Sequence, residues 1–156
     1  MSRVTFGTAE CGSGDYRAIL RIREEIMRKP IGLSLSAQDT ADDAASAHVW
    51  LKVGGVITGT AKLVPLDDNT LKLRMMAVLP WARGTGIGRL VARFCEGYAA
   101  GRGYTRIVLD ARLTVEGFYQ KLGYEALGDI FEQVGIPHVF MSKDLTTTCP
   151  SDCIYM

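Results

Sequence analysis

The sequence has no apolar run long enough to span a bilayer, and Met1 to Tyr16 lacks the long apolar core of a signal peptide. The expectation is a cytoplasmic protein with no membrane partner. Net charge is small as well: 18 Lys and Arg against 17 Asp and Glu leave +1. Binding to a phosphate backbone draws on clustered Lys and Arg, so a nucleic-acid partner is excluded and any anionic ligand must be small and met locally. Histidine is scarce, with only His48 and His138. The four cysteines, Cys11, Cys95, Cys149 and Cys153, are scattered, and a reducing cytosol keeps them as thiols. No His or further Cys stands near Cys149 and Cys153 to complete a ligand set, so no metal is expected. What remains is ordinary globular composition, 47% hydrophobic and 22% charged, without repeats or low-complexity blocks. A length of 156 residues suits one domain, read as 1–145 and followed by a polar tail over 146–156, and it leaves room for a homodimer.

The apolar spacing places the elements. Asp15 to Arg28 has the helical pattern, with Ser13 or Asp15 as cap and Pro30 as stop. Strands are predicted at His48 to Val53 and Val56 to Val64, turned by Gly54-Gly55, and at Thr70 to Val78. In the last of these, Leu71, Leu73 and Met75 alternate with Lys72, Arg74 and Met76, so Arg74 faces away from the leucines. A helix from Gly88 to Ala100 carries the stripe Leu90, Val91, Phe94, Cys95 and Tyr98. A short strand follows at Arg106 to Asp110, then a helix from Val115 to Leu122 capped by Thr114 and ended by Gly123. A strand pair near Tyr124 to Phe131 and His138 to Lys143 completes the order. The fold class is α/β, a mixed, mainly antiparallel sheet with helices on both faces.

Between the third strand and the helix lies Arg83-Gly84-Thr85-Gly86-Ile87-Gly88. A helix N-terminus binds anions because its first N–H groups lack intrahelical partners and the dipole is positive there, and glycines let the backbone come close. Two familiar phosphate loops fail on spacing. The residue three after Gly86 is Arg89, where a dinucleotide fingerprint needs glycine, and the Lys-Ser/Thr pair of an NTPase loop is missing. Taken alone, the pattern is equally that of a glycine-rich turn that starts a helix.

With its neighbours the loop says more. "LRMMAV" before it, "RGTGIG" itself, "GYTRIVLDAR" as the next strand and "FYQKLGY" as the next helix resemble, in order, the GNAT superfamily of acyl-CoA N-acyltransferases over Leu73 to Leu145. The loop pattern of that superfamily is met by Arg83, Gly86 and Gly88. The resemblance implies acetyl-CoA as co-substrate, with Met76, Ala77 and Val78 pairing with pantetheine and the amides of Gly84, Thr85, Gly86, Ile87 and Gly88 holding pyrophosphate. It also places Tyr119 beside the coenzyme sulfur. A narrower likeness, in "REEIMRKP", "LRMMA", "LDARLT" and "GIPHVFM", is to the glyphosate N-acetyltransferase branch. It implies that Arg28, Arg74 and Arg112 hold an anion and that His138 is the catalytic base. The stretch from Gly32 to Ala47 carries no such likeness.

The chemistry asks for residues of these kinds. An alkyl ammonium has a pKa of about 10, so a base must deprotonate it near neutral pH, and imidazole titrates in the useful range. A phenol can give a proton to a departing thiolate, and Arg offers the planar paired donors that suit a carboxylate or phosphonate. The expected partner is a small amine bearing such a group. Each residue also has a structural alternative. His138 could be a hydrogen-bonded strand residue, Tyr119 a packing partner of Phe118, and the arginines solvated surface; His48, between strand residues, is read as structural. Two other functions stay open, a non-catalytic acyl-CoA sensor and a protein lysine or N-terminal acetyltransferase.

Overall fold

The computed structural model describes residues 3–147, with seven strands among them. The tail beyond residue 147, with Cys149 and Cys153, lies outside the described residues. Two compact units are distinguished, Met1–Pro65 with Lys72–Cys95, and Leu66–Leu71 with Glu96–Met156.

In the first unit the strands β1 Val4–Ala9, β2 Ala47–Val53, β3 Val56–Pro65 and β4 Thr70–Val78, the last belonging to it from Lys72 onward, follow one another in spatial order. β1 and β2 pair antiparallel, Val4 opposite Val53, and so do β2 and β3. The turn between β2 and β3 is Gly54-Gly55, at φ 58° and 85°, the left-handed pair that a two-residue hairpin requires. β1 is absent from the sequence reading. It is an edge strand of alternating half-buried and exposed residues, interrupted by Gly7, and Gly7 is there for a neighbour: a Cβ would stand 2.3 Å from the Trp50 ring.

Helix α1 Gly14–Ile22 begins where expected, Ser13 Oγ accepting from the Tyr16 N–H at 3.1 Å. The single helix predicted to Arg28 instead becomes a π-helical turn over Arg23–Arg28, then a 3₁₀ turn Lys29–Ile31 ending at the left-handed Gly32. The change has a geometric consequence. Residues five apart diverge by about 140° on an α-helix, whereas i→i+5 bonding stacks them, so Arg23 and Arg28 both turn inward, at 1% and 9% exposure. A short helix α2, Ala37–Thr40, follows with a complete capping box between Ser36 and Asp39. Ile19, Val49, Leu51, Ala61, Leu63 and Val91 are fully buried.

Helix α3 Ile87–Gly101 buries Val91, Ala92, Cys95 and Ala99, while Leu90 of the expected stripe is exposed. It lies close to β3 because residue 59 is glycine; a Cβ there would meet Val91 at 2.9 Å and Ile87 at 3.1 Å. In the second unit, β5 Arg106–Arg112, β7 Ile136–Asp144 and β6 Glu125–Gln133 lie in that order, both pairings antiparallel. Helix α4 Glu116–Lys121 ends at Gly123, φ 99°. Thr114 does not cap it; that residue lies inside a 3₁₀ turn, Leu113–Val115, and no side chain caps the helix. The fold class is the expected one, α/β with mainly antiparallel strands flanked by helices.

Candidate active site

The backbone of the glycine loop is open and left-handed at two positions. Gly84 and Gly86 take φ 77° and 89°, in the left-handed region, with open space where a Cβ would project. Thr85 Oγ1 donates to the Ala82 carbonyl and Arg83 Nε donates to the Val78 carbonyl at 3.1 Å, tying the loop to the end of β4. The Leu90 N–H bonds the Gly86 carbonyl at 3.1 Å, closing the first turn of α3 and leaving the N–H groups of Ile87, Gly88 and Arg89 without intrahelical acceptors. These donors suit a pyrophosphate.

Just before the loop, the backbone of β4 turns left-handed at one residue. Met75 has φ 53°, a left-handed conformation that costs a non-glycine residue about 1 kcal/mol, yet its side chain is 7% exposed and well packed. A left-handed residue inside a strand is bulge geometry, which takes a backbone N–H out of the ladder. The predicted alternation nonetheless holds along the strand: Leu71, Leu73, Met75 and Ala77 are buried, while Lys72, Arg74, Met76 and Val78 are half-buried.

Two of the predicted arginines belong to this unit; Arg28 binds an aspartate and Arg74 acts on one only through its charge. Arg28 Nε and Nη2 grip Asp39 at 3.1 and 2.9 Å, and Nη2 lies 3.9 Å from the Met75 sulfur. The Arg28 hydrogen bonds hold the Asp39 carboxyl at about 2, overcoming the burial that would raise it. Arg74 lends a smaller electrostatic pull to Asp42. Burial pushes that carboxyl up, but the Lys62 hydrogen bond and charge outweigh it and the net shift is downward. Lys62, fully buried, also lies 2.5 Å from Asp43 and donates to the Asp39 carbonyl at 3.1 Å.

In the second unit, Arg112 and His138 stand directly opposite each other on β5 and β7. His138 is 4% exposed. Its Nδ1 lies 2.7 Å from the Ile136 carbonyl, which can only accept, so Nδ1 carries the proton and Nε2 is the basic nitrogen. Phe131 lies nearly parallel to the imidazole, centroids 6.0 Å apart and planes 25° apart. Tyr119 is buried on α4, its ring edge-on to Phe118 at 5.0 Å and to Tyr124 at 5.6 Å.

His48, read as structural, is so. It is 1% exposed, its Nε2 bonds the Asp43 carbonyl at 2.8 Å and its Nδ1 meets Arg23 Nη2 at 3.1 Å. Burial lowers its pKa, so the ring is neutral. Sequence reasoning missed Asp39, Phe131, Gly59 and the left-handed Met75. Ser36-Ala37-Gln38-Asp39 carries the Ser-x-x-acid capping signature and was findable; an alternating strand gives no sign of a left-handed residue.

Residues 25–145, a span that runs through both units, match the family described as Acetyltransferase (GNAT) domain. The uncharacterized protein YyaT of Bacillus subtilis (strain 168) is 35% identical over 89 residues, which cover 57% of this chain and 58% of YyaT's length. The uncharacterized N-acetyltransferase YjcF of the same organism is 29% identical over 124 residues, covering 79% of this chain and 88% of YjcF. Among solved structures, a GNAT family acetyltransferase from Elizabethkingia anophelis with acetyl-CoA bound shares the fold. Its TM-score is 0.70 at 16% identity, over 90% of this chain and 97% of that one.

Proposed function

Since the chain belongs to the GNAT acetyltransferase family, we propose that it moves the acetyl group of acetyl-CoA to the primary amine of a small acceptor bearing one carboxylate or phosphonate, residues 1–145 acting as one cytoplasmic domain. The observation that carries the reading is the left-handed Met75 five residues ahead of the loop's lead-in at Pro80, because it sets a locally distorted strand beside an anion-binding helix start. The loop from Arg83 to Gly88 takes the pyrophosphate, and the backbone from Met76 to Val78 pairs with the pantetheine amides. The N–H released at the distortion polarises the thioester carbonyl.

His138 Nε2 removes a proton from the acceptor ammonium, and the amine nitrogen then attacks the thioester carbon. A C–N bond forms as the C–S bond breaks. The sulfur leaves as thiolate and takes the phenolic proton of Tyr119, and the nitrogen gives up its second proton to solvent as the amide forms. Solvent reprotonates Tyr119 and takes the proton held by His138, so the products are the N-acetyl amine, free coenzyme thiol and one proton. Arg28, Arg74 and Arg112 orient the acceptor's anionic group, as they do in the resemblance to the glyphosate N-acetyltransferase branch. The test is thiol release from acetyl-CoA against small amines sorted by charge. The expected result is a kcat/KM for acidic amines at least about tenfold above that for neutral ones, reduced by Arg74→Ala. Equal values for acidic and neutral amines, unmoved by that substitution, would overturn the acceptor class.

A further inference from the structure

Arg28 is committed before any acceptor arrives. Of its five N–H donors, two are held side-on by Asp39, which leaves Nη1 with no hydrogen-bond partner among the described residues. Asp39 cannot swing aside to release it. Its Oδ2 also accepts the Ser36 N–H at 3.0 Å, its own N–H donates to Ser36 Oγ at 3.2 Å, and its carbonyl takes Lys62 Nζ at 3.1 Å. The carboxylate is a fixture of the capping box, not a gate.

The charge around it is nearly balanced. Within the first unit Arg23, Arg28, Lys62 and Arg74 supply four cations and Asp39, Asp42 and Asp43 three anions, leaving one positive charge to which Arg112 of the acceptor reading adds. Three of these cations touch an aspartate directly. A second negative charge on an acceptor held by Arg28 finds a carboxylate already seated there.

We propose that Asp39 is a specificity-determining residue: by occupying one edge of Arg28 it disfavours an acceptor group of two negative charges relative to one. The inference rests on the acceptor reading above and adds to it the charge that the acceptor carries. One unit charge at a few ångströms in partly wet surroundings alters binding by about tenfold.

The experiment measures kcat/KM for thiol release from acetyl-CoA with glycinamide, glycine and aminomethylphosphonate, which bear no, one and two negative charges on otherwise similar amines. The wild-type enzyme is expected to favour glycine over both others. Asp39→Asn is expected to raise the phosphonate-to-glycine ratio about tenfold, and Asp39→Ser, which keeps an acceptor for the Ser36 N–H, to do the same. Ser36→Ala breaks the capping box without removing charge, so its ratio should stay at the wild-type value. A wild-type preference for the phosphonate overturns the inference. So does an unchanged ratio in both Asp39 variants with glycine still ahead of glycinamide, and that result leaves the acceptor reading standing. A ratio moved equally by Ser36→Ala overturns it too. Equal rates with all three amines in every variant remove the acceptor reading itself.

Discussion

The two histidines are both almost wholly buried, yet their surroundings differ in the one respect that decides chemistry. His48 has both ring nitrogens engaged, by the Asp43 carbonyl and by Arg23, and stacks edge-on against Tyr16 with centroids 5.0 Å apart. It is a joint that fixes the Asp42 to Ala45 segment against α1. His138 has one nitrogen bound to the Ile136 carbonyl and the other without a hydrogen bond among the described residues. Burial therefore does not distinguish the two rings; a general base needs an oriented ring with one basic nitrogen unclaimed, and His138 meets that requirement while His48 does not.

The contrast can be broken most sharply at His138. His138→Ala should lower kcat/KM for thiol release by roughly 10²- to 10⁴-fold, with circular dichroism unchanged. Unchanged turnover would make the two histidines alike. His48→Ala should act the other way, leaving the buried Arg23 guanidinium without its imidazole acceptor. A stability loss of about 3 kcal/mol in denaturant unfolding is expected, with turnover per folded molecule kept within severalfold. Phe131→Ala probes how the His138 ring is held. Loss of its stacked neighbour should reduce kcat about tenfold, whereas Phe131→Tyr restores it.

The smallest effect is a pH dependence. Burial depresses the folded-state pKa of His48, so below about pH 6.5 the unfolded chain binds a proton that the folded chain refuses. Stability should fall as pH drops through that value, by at most about 1.4 kcal/mol per pH unit from this group. A folded His48→Asn variant should lack that component, which paired denaturant titrations at pH 7 and pH 5.5 would read.

The same contrast explains what the sequence disclosed. Elements with strong periodicity, β2 to β5 and α3, were legible within a residue or two, and so was the loop, since Gly84 and Gly86 are there for a backbone conformation that few other residues adopt. The conversion of the Asp15 to Arg28 helix into a π-helical turn was not legible, because the apolar spacing of Tyr16, Ile19 and Leu20 says nothing of the i→i+5 bonding that follows. β1 was hidden by Gly7, a residue that weakens a strand locally and is required by Trp50 from another strand. At the site, residue types were readable and their commitments were not. Arg28 reads as a free cation until Asp39 is seen on it, and His138 reads as any buried histidine until its tautomer is fixed by Ile136.

The most direct test of acetyl transfer is to incubate the protein with acetyl-CoA with and without glycine, and to quantify free coenzyme thiol and N-acetylglycine together. The account predicts thiol release that depends on the amine and matches the N-acetyl product one for one. Saturable binding of acetyl-CoA with thiol release that is the same with or without amine would contradict it and leave an acyl-CoA-binding module.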